Sequence, residues 1–274
     1  MKTPTSYPTL LEMFYRFEKE KASQVFLSEP IAGKPMAHTW EEAGFSIRKM
    51  AGALSDLNLP AGSRIAIIGK NSAHWIMADL AITMAGHVSV PIYPTVTAAT
   101  LRQILTHSES QVLFVGKLDA FEPLQSGIPS NVRSIHFPHW AWSGCEHCNT
   151  FIENADAILT DTIPDPQTLS CILYTSGTTG DPKGVMHTHF AHSFSLLTVM
   201  EALGEDLQNE VFFSYLPLSH IAERMVVEYC GIFTGGTIYF PESLATFSRD
   251  LEAAQPTIFL AVPRIWEKFR EEIL

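Results

Sequence analysis

Apolar and polar positions along this chain follow two rhythms, one helical and one of short compact runs. Leu10, Leu11, Phe14 and Phe17 recur at helical spacing ahead of the charged residues 18–21, which predicts an amphipathic helix near the N-terminus. Thr39-Trp40-Glu41-Glu42 has the form of a capping box, and a helix is expected from there through Ile47, Met50, Ala51 and Leu54. After a turn at 61–63, the run 64–68 predicts a buried strand, and Asn71 stands where the N-cap of a second helix reaching about 85–86 is expected. Short strands follow at 88–90, 111–115 and 132–136, with a helix over 97–107. Strands alternating with helices of this length predict an α/β fold of largely parallel sheets flanked by helices.

The pattern is weakest over 138–166. Pro164-Asp165-Pro166 predicts an extended connector, and a sub-boundary is expected near 158–169. Beyond it, Cys171-Ile172-Leu173-Tyr174 reads as a buried strand. Helices are expected over 189–200 and 222–233, a turn at Gly235-Gly236, a strand over 237–240, a helix over 244–254 and a last strand over 257–262.

Composition narrows the function classes. With 274 residues and 46% apolar content the chain can bury a large core, which excludes disorder. A net charge of −11 with no basic patch argues against nucleic-acid binding. Four cysteines in a chain of this length do not make a disulfide framework, so a cytoplasmic protein is expected, with peripheral membrane contact left open. The most apolar stretch, 76–93, contains Asp79 and His87 and is broken by Pro91, which makes it a poor membrane span. Cys145-x-x-Cys148, with His136, His139 and His147 nearby, has one thiol pair of metal-knuckle spacing; the remaining spacings do not match a zinc finger, and no metal is expected there.

The densest chemistry lies at 174–189. There Thr175, Ser176, Gly177, Thr178, Thr179 and Gly180 lead to Pro182-Lys183-Gly184. Hydroxyl donors, glycines that let backbone N–H groups approach anionic oxygens, and one cation together suit a polyphosphate. A P-loop would need Lys directly after the second Gly and then Ser or Thr; two residues separate Gly180 from Lys183, and Gly184 follows.

Nearly residue for residue, this run resembles the phosphate-loop signature of the adenylate-forming superfamily, which includes acyl-CoA synthetases, luciferases and peptide-synthetase adenylation domains. Thr39-Trp40-Glu41-Glu42, the strand at 64–68 with Asn71, and Pro91-Ile92-Tyr93-Pro94 also fit that family's first half. Leu216-Pro217-Leu218-Ser219-His220 resembles the family's Leu-Pro-x-x-His segment, and its neighbours Glu223 and Arg224, with 257–268, look most like long-chain fatty acyl-CoA synthetases. The resemblance implies that Thr175 through Gly180 and Lys183 bind the phosphates of ATP, that Lys183 and His220 are catalytic, that His220 and Glu223 line the acyl-adenylate pocket, and that Thr175 is a contact for Mg²⁺. Taken by itself, the pair Glu223 and Arg224 equally suits a structural ion pair.

The implied reaction activates a carboxylic acid, a long-chain fatty acid by family analogy, with ATP and then transfers the acyl group to CoA. The family also uses a Tyr-Gly-x-Thr-Glu segment and a lysine on a C-terminal lid, and neither occurs in these 274 residues. The chain therefore reads as a partial large N-terminal AMP-binding domain over 1–274, without ligase turnover of its own. A natural nucleotide-binding or interaction module without ligase activity is the alternative.

Overall fold

In the computed structural model, residues 7–176, 182–203 and 207–273 are described. Two sheets organise them. The larger runs in the order β7-β6-β5-β3-β4-β8-β9, from β3 (Arg64–Ile68), β4 (Val88–Ile92), β5 (Val112–Val115), β6 (Arg133–His136), β7 (Glu146–His147), β8 (Leu169–Ser176) and β9 (Pro182–Thr188). All neighbours are parallel except β8 and β9, which form an antiparallel hairpin. The smaller sheet has the order β10-β11-β1-β2, with β1 (Val25–Ile31), β2 (Lys34–Thr39), β10 (Val211–Phe213) and β11 (Thr237–Tyr239).

Helices α1 (Leu10–Glu20), α2 (Trp40–Asp56), α3 (Ala73–Met84), α4 (Ala98–His107), α5 (Glu122–Gln125), α6 (Cys148–Ile152) and α7 (His189–Leu203) cover the sheets. α8 (Ile221–Glu223) continues through a π-wound turn, Arg224–Tyr229, into α9 (Cys230–Thr234); α10 (Phe247–Ala254) and α11 (Pro263–Ile273) follow. Both α1 and α2 start at complete capping boxes, Thr9 with Glu12 and Thr39 with Glu42, as the second was expected to.

The central parallel strands β3, β4 and β5 are buried on both faces, which explains their largely apolar sequences. Along β3, Ile65 and Ile67 join one core while Ala66 and Ile68 join the other; Val112 and Phe114 alternate with Leu113 and Val115 in the same way on β5. α4 covers one face. On the other face α3 touches β1, β3 and β4, so it lies between the sheets, and all its residues except His74 are buried.

Several expectations need correction. Asn71 does not cap α3; Ser72 does, its hydroxyl accepting from the Trp75 amide at 3.3 Å. The helix expected over 222–233 is interrupted by the π turn, and the one expected from 244 begins at Phe247. The strand expected over 257–262 is absent: Thr257 and Ile258 both donate their amides to the single carbonyl of Val211, leaving one isolated bridge, and Pro263 then opens α11. Pro182, Lys183 and Gly184 of the phosphate-loop signature lie in β9, the antiparallel partner of β8, a strand the sequence did not predict. Cys145 and Cys148 are free thiols, and among the described residues no group of three His, Cys, Asp or Glu side chains could hold a metal ion.

Candidate functional site

Strands β3, β4 and β8 are parallel, so the segments that follow them gather at one edge of the sheet, the carboxyl edge where α/β folds place ligands. Asn71 follows β3, Thr95 follows β4, and Thr175 and Ser176 end β8. Gly177, Thr178, Thr179 and Gly180 lie outside the described residues, as does Asp181.

The base of the hairpin fixes the described part of the loop signature. Thr175 is the register partner of Lys183, so hydroxyl and ammonium stand side by side on one face of the ribbon, and both residues are exposed. Tyr174 pairs with Gly184; a Cβ on Gly184 would sit 2.8 Å from Ile172 Cγ2 and 3.3 Å from Tyr174 Cζ, so only glycine lets these two side chains close over β9. Tyr174 is buried, and its hydroxyl lies 2.7 Å from His107 Nδ1 at the end of α4. A cavity of about 440 Å³ opens beside the hairpin base, lined by Tyr93, Thr95, Val96, Thr100, Tyr174, Thr175 and Pro182 among others.

His220 is the N-cap of α8. Its Nδ1 accepts from the Ala222 amide at 3.1 Å, which leaves Nε2 as the exposed polar atom and, in the neutral ring, the one that carries the proton. Glu223 is 1% exposed, and burial pushes its carboxyl up to about 8. The Ser214 hydroxyl and the Tyr215 and Leu216 backbones act against that rise, although neither carboxylate oxygen has a hydrogen-bond partner among the described residues. At neutral pH Glu223 is a carboxylic acid with a proton to donate.

Sequence reasoning missed the residue that holds this segment in place. The buried Asn71 side chain donates to Ser214 Oγ at 2.8 Å and to the Leu216 carbonyl at 2.6 Å, and accepts from the Leu218 amide at 3.0 Å. Asn71 thereby ties the carboxyl edge of the large sheet to the stretch leading into His220. Its position three residues beyond a parallel strand was the available signal.

Glu223 and Arg224 do not pair. Arg224 is 0% exposed and reaches Asp79 of α3, Nη2 to Oδ2 2.5 Å, while Asp79 Oδ1 accepts from Ser89 Oγ at 2.5 Å. Glu228 Oε2 lies 3.6 Å from Arg224 Nη1. Burial holds the Glu228 carboxyl well above the usual carboxylate range; the charge of Arg224 opposes this, and Asp79 adds to it. Arg224 is thus shared between Asp79, at hydrogen-bond distance, and Glu228, farther off. The two groups of expected site residues, Thr175 with Lys183 and His220 with Glu223, share no side-chain hydrogen bond among the described residues.

The family model for AMP-binding enzymes matches residues 15–273, almost the whole chain. The chain belongs to the AMP-binding enzyme family. Human long-chain-fatty-acid–CoA ligase ACSBG2 is 29% identical over 292 aligned positions, which cover 99% of this chain and 43% of that protein. Fatty acyl-CoA synthetase A of Dictyostelium discoideum is 28% identical, with 94% of this chain and 41% of that protein covered. The chain thus spans about two fifths of the curated relatives it matches. Among solved structures, the anthranilate CoA ligase AuaEII in complex with anthranoyl-AMP superposes with a TM-score of 0.80 at 20% identity, over 94% of this chain and 51% of that one. O-succinylbenzoate coenzyme A synthetase of Bacillus subtilis, in complex with AMP, gives 0.77 at 21% identity, over 96% and 64%. The architecture described above is the N-terminal part of the adenylate-forming fold. No helix among the described residues is long and apolar enough to cross a membrane.

Proposed function

We propose that this chain carries the nucleotide and carboxylate sides of an ATP-dependent acyl-CoA synthetase for long-chain fatty acids. The observation that carries the proposal is the cross-strand pair Thr175 and Lys183, which brings the first and the charged residue of the family's phosphate signature side by side. A carboxylate is too poor an electrophile for direct attack by the CoA thiol. Its oxygen attacks the α-phosphorus of ATP, the bond to the bridging oxygen breaks, and pyrophosphate leaves; the thiol then displaces AMP from the acyl-adenylate.

In the first step charge accumulates on phosphoryl oxygens, and Lys183 with the hydroxyls of Thr175 and Ser176 is suited to neutralise it. Mg²⁺, which is bound largely through substrate phosphates and a few protein oxygens, would supply further neutralisation; the exposed Thr175 hydroxyl fits such a contact. His220 presents Nε2–H, a donor suited to a carboxylate oxygen, and Glu223 lies one helical turn away as a neutral acid. The 274 residues lack a Tyr-Gly-x-Thr-Glu segment, so the chain alone is proposed to bind MgATP or pyrophosphate without completing the ligase cycle.

Calorimetric titration with MgATP tests the nucleotide side. Lys183→Ala should weaken binding by about tenfold or more, the worth of a charge-assisted hydrogen bond, with an unchanged melting temperature because Lys183 is exposed. Equal affinity in the variant would refute the assignment. On the gene's complete product, ATP–pyrophosphate exchange should rise with chain length across a series of saturated acids, and preference for an aryl acid would refute the long-chain assignment.

A further inference from the structure

Behind the π turn, a second set of buried polar groups joins the two halves of the site. Tyr229 is 1% exposed, and its hydroxyl lies 2.7 Å from His192 Nδ1 on α7 and 3.2 Å from Ser170 Oγ on β8. His192 Nε2 faces Cys171 Sγ at 3.9 Å, and the His192 ring stacks on His187 of β9 with centroids 5.0 Å apart. Ser170 of β8 therefore meets Tyr229 directly, and His187 of β9 is joined to it through the His192 ring, at the end of the segment that begins near His220.

The π winding is what permits this. Its wider turn lets Glu228 and Tyr229, four and five residues after Arg224, both stand beside it; the guanidinium carbon is 5.8 Å from the Tyr229 ring centre. Burial pushes His192 down to about 2 and the Cys171 thiol up to about 12, so imidazole and thiol are neutral. In either tautomer of His192 the chain Ser170, Tyr229, His192, Cys171 can order its protons so that each member is satisfied.

We propose that Tyr229 and His192 are positioning residues that lock residues 216–229 to the hairpin carrying Thr175 and Lys183, holding carboxylate and nucleotide in one register. This rests on the adenylating reading above. Satisfying a buried tyrosine needs only one partner; the hydroxyl here engages two elements, and its histidine partner reaches both hairpin strands.

Tyr229→Phe removes one oxygen and keeps the ring, while His192→Asn keeps a polar atom near the Nδ1 position. MgATP affinity is measured by calorimetry with and without hexadecanoate. In the wild type hexadecanoate should tighten MgATP binding; Tyr229→Phe should shrink that factor by about threefold to tenfold, one hydrogen bond's worth, while MgATP affinity alone changes by less than about twofold. His192→Asn should retain most of the factor. Ser170→Ala gives the same test if Tyr229→Phe does not fold. Lower stability with an unchanged factor would overturn the lock and leave a core hydrogen bond only. If the wild type binds no MgATP, the adenylating reading fails, and hydrogen exchange decides the lock by itself. Tyr229→Phe should then speed exchange in residues 169–174 and 216–229 together, and a change confined to either segment overturns it.

Discussion

Replacing Arg224 by Met should be among the most damaging single substitutions in the chain. The guanidinium and Asp79 are 0% and 1% exposed and meet at 2.5 Å, so neither charge has water to fall back on. At an effective dielectric near 20 a pair with charge centres about 4 Å apart is worth about 4 kcal/mol, and breaking a buried pair costs about 3–5 kcal/mol because one charge is stranded. Met keeps the length of the Arg stem, so most of the loss is electrostatic. Adding Asp79→Asn removes the stranded charge, and the double variant should be more stable than Arg224→Met alone. Urea unfolding followed by tryptophan fluorescence is the assay, with Trp75, 5.7 Å from the guanidinium carbon, as a local reporter. A loss below about 1 kcal/mol in Arg224→Met, or a double variant no better than the single, would refute the accounting of charges.

Two further predictions concern the carboxylate side. Glu223 is raised from 4.5 to about 8, so the native state keeps a proton that the unfolded chain releases, and stability falls as pH rises through that window. Glu223→Gln removes this loss: its stability relative to wild type should climb by about 1.4 kcal/mol per pH unit between roughly pH 5 and 8 and then level off, and a pH-independent difference in paired denaturation curves would contradict the shift. Asn71→Ala abolishes three hydrogen bonds to residues 214–218 and should cost about 2–4 kcal/mol; limited proteolysis should show faster cleavage within 214–219, and unchanged cleavage would count against the clamp.

The alternating α/β core was legible because its strands are apolar on both faces and its helices open at Thr caps, as at Thr39. The smaller sheet was legible only at β11, expected over 237–240. β1 and β2 carry Pro30 and Pro35, which sit opposite each other at the outer end of an edge hairpin, and β10 has three residues, too few for a period to show. β9 was hidden for a related reason: it is an edge strand with Val185 and Met186 exposed, so its sequence lacks the inward-outward alternation of a half-buried strand. In the candidate site, the expected residues are close neighbours in sequence, while the clamp at Asn71 went unread because its partners lie more than a hundred positions away.

Partner choice at Arg224 shows how much farther the sequence could have been taken. Glu223 and Arg224 are adjacent on a helix, and adjacent side chains diverge by about 100°, so helical geometry alone disfavours their pairing. Glu228, four residues on, can face Arg224, but two buried side chains of opposite charge still leave the question of what the acidic residue in the most apolar helix does. Asp79 is the one acid in 76–93, and a buried acid needs a buried cation. Charge neutrality therefore points from Asp79 to Arg224 across 145 positions, and the fold adds the consequence that local pattern cannot supply. With Arg224 committed to Asp79, Glu223 is left one helical turn from His220 without a guanidinium to hold its charge, and burial raises its carboxyl to about 8.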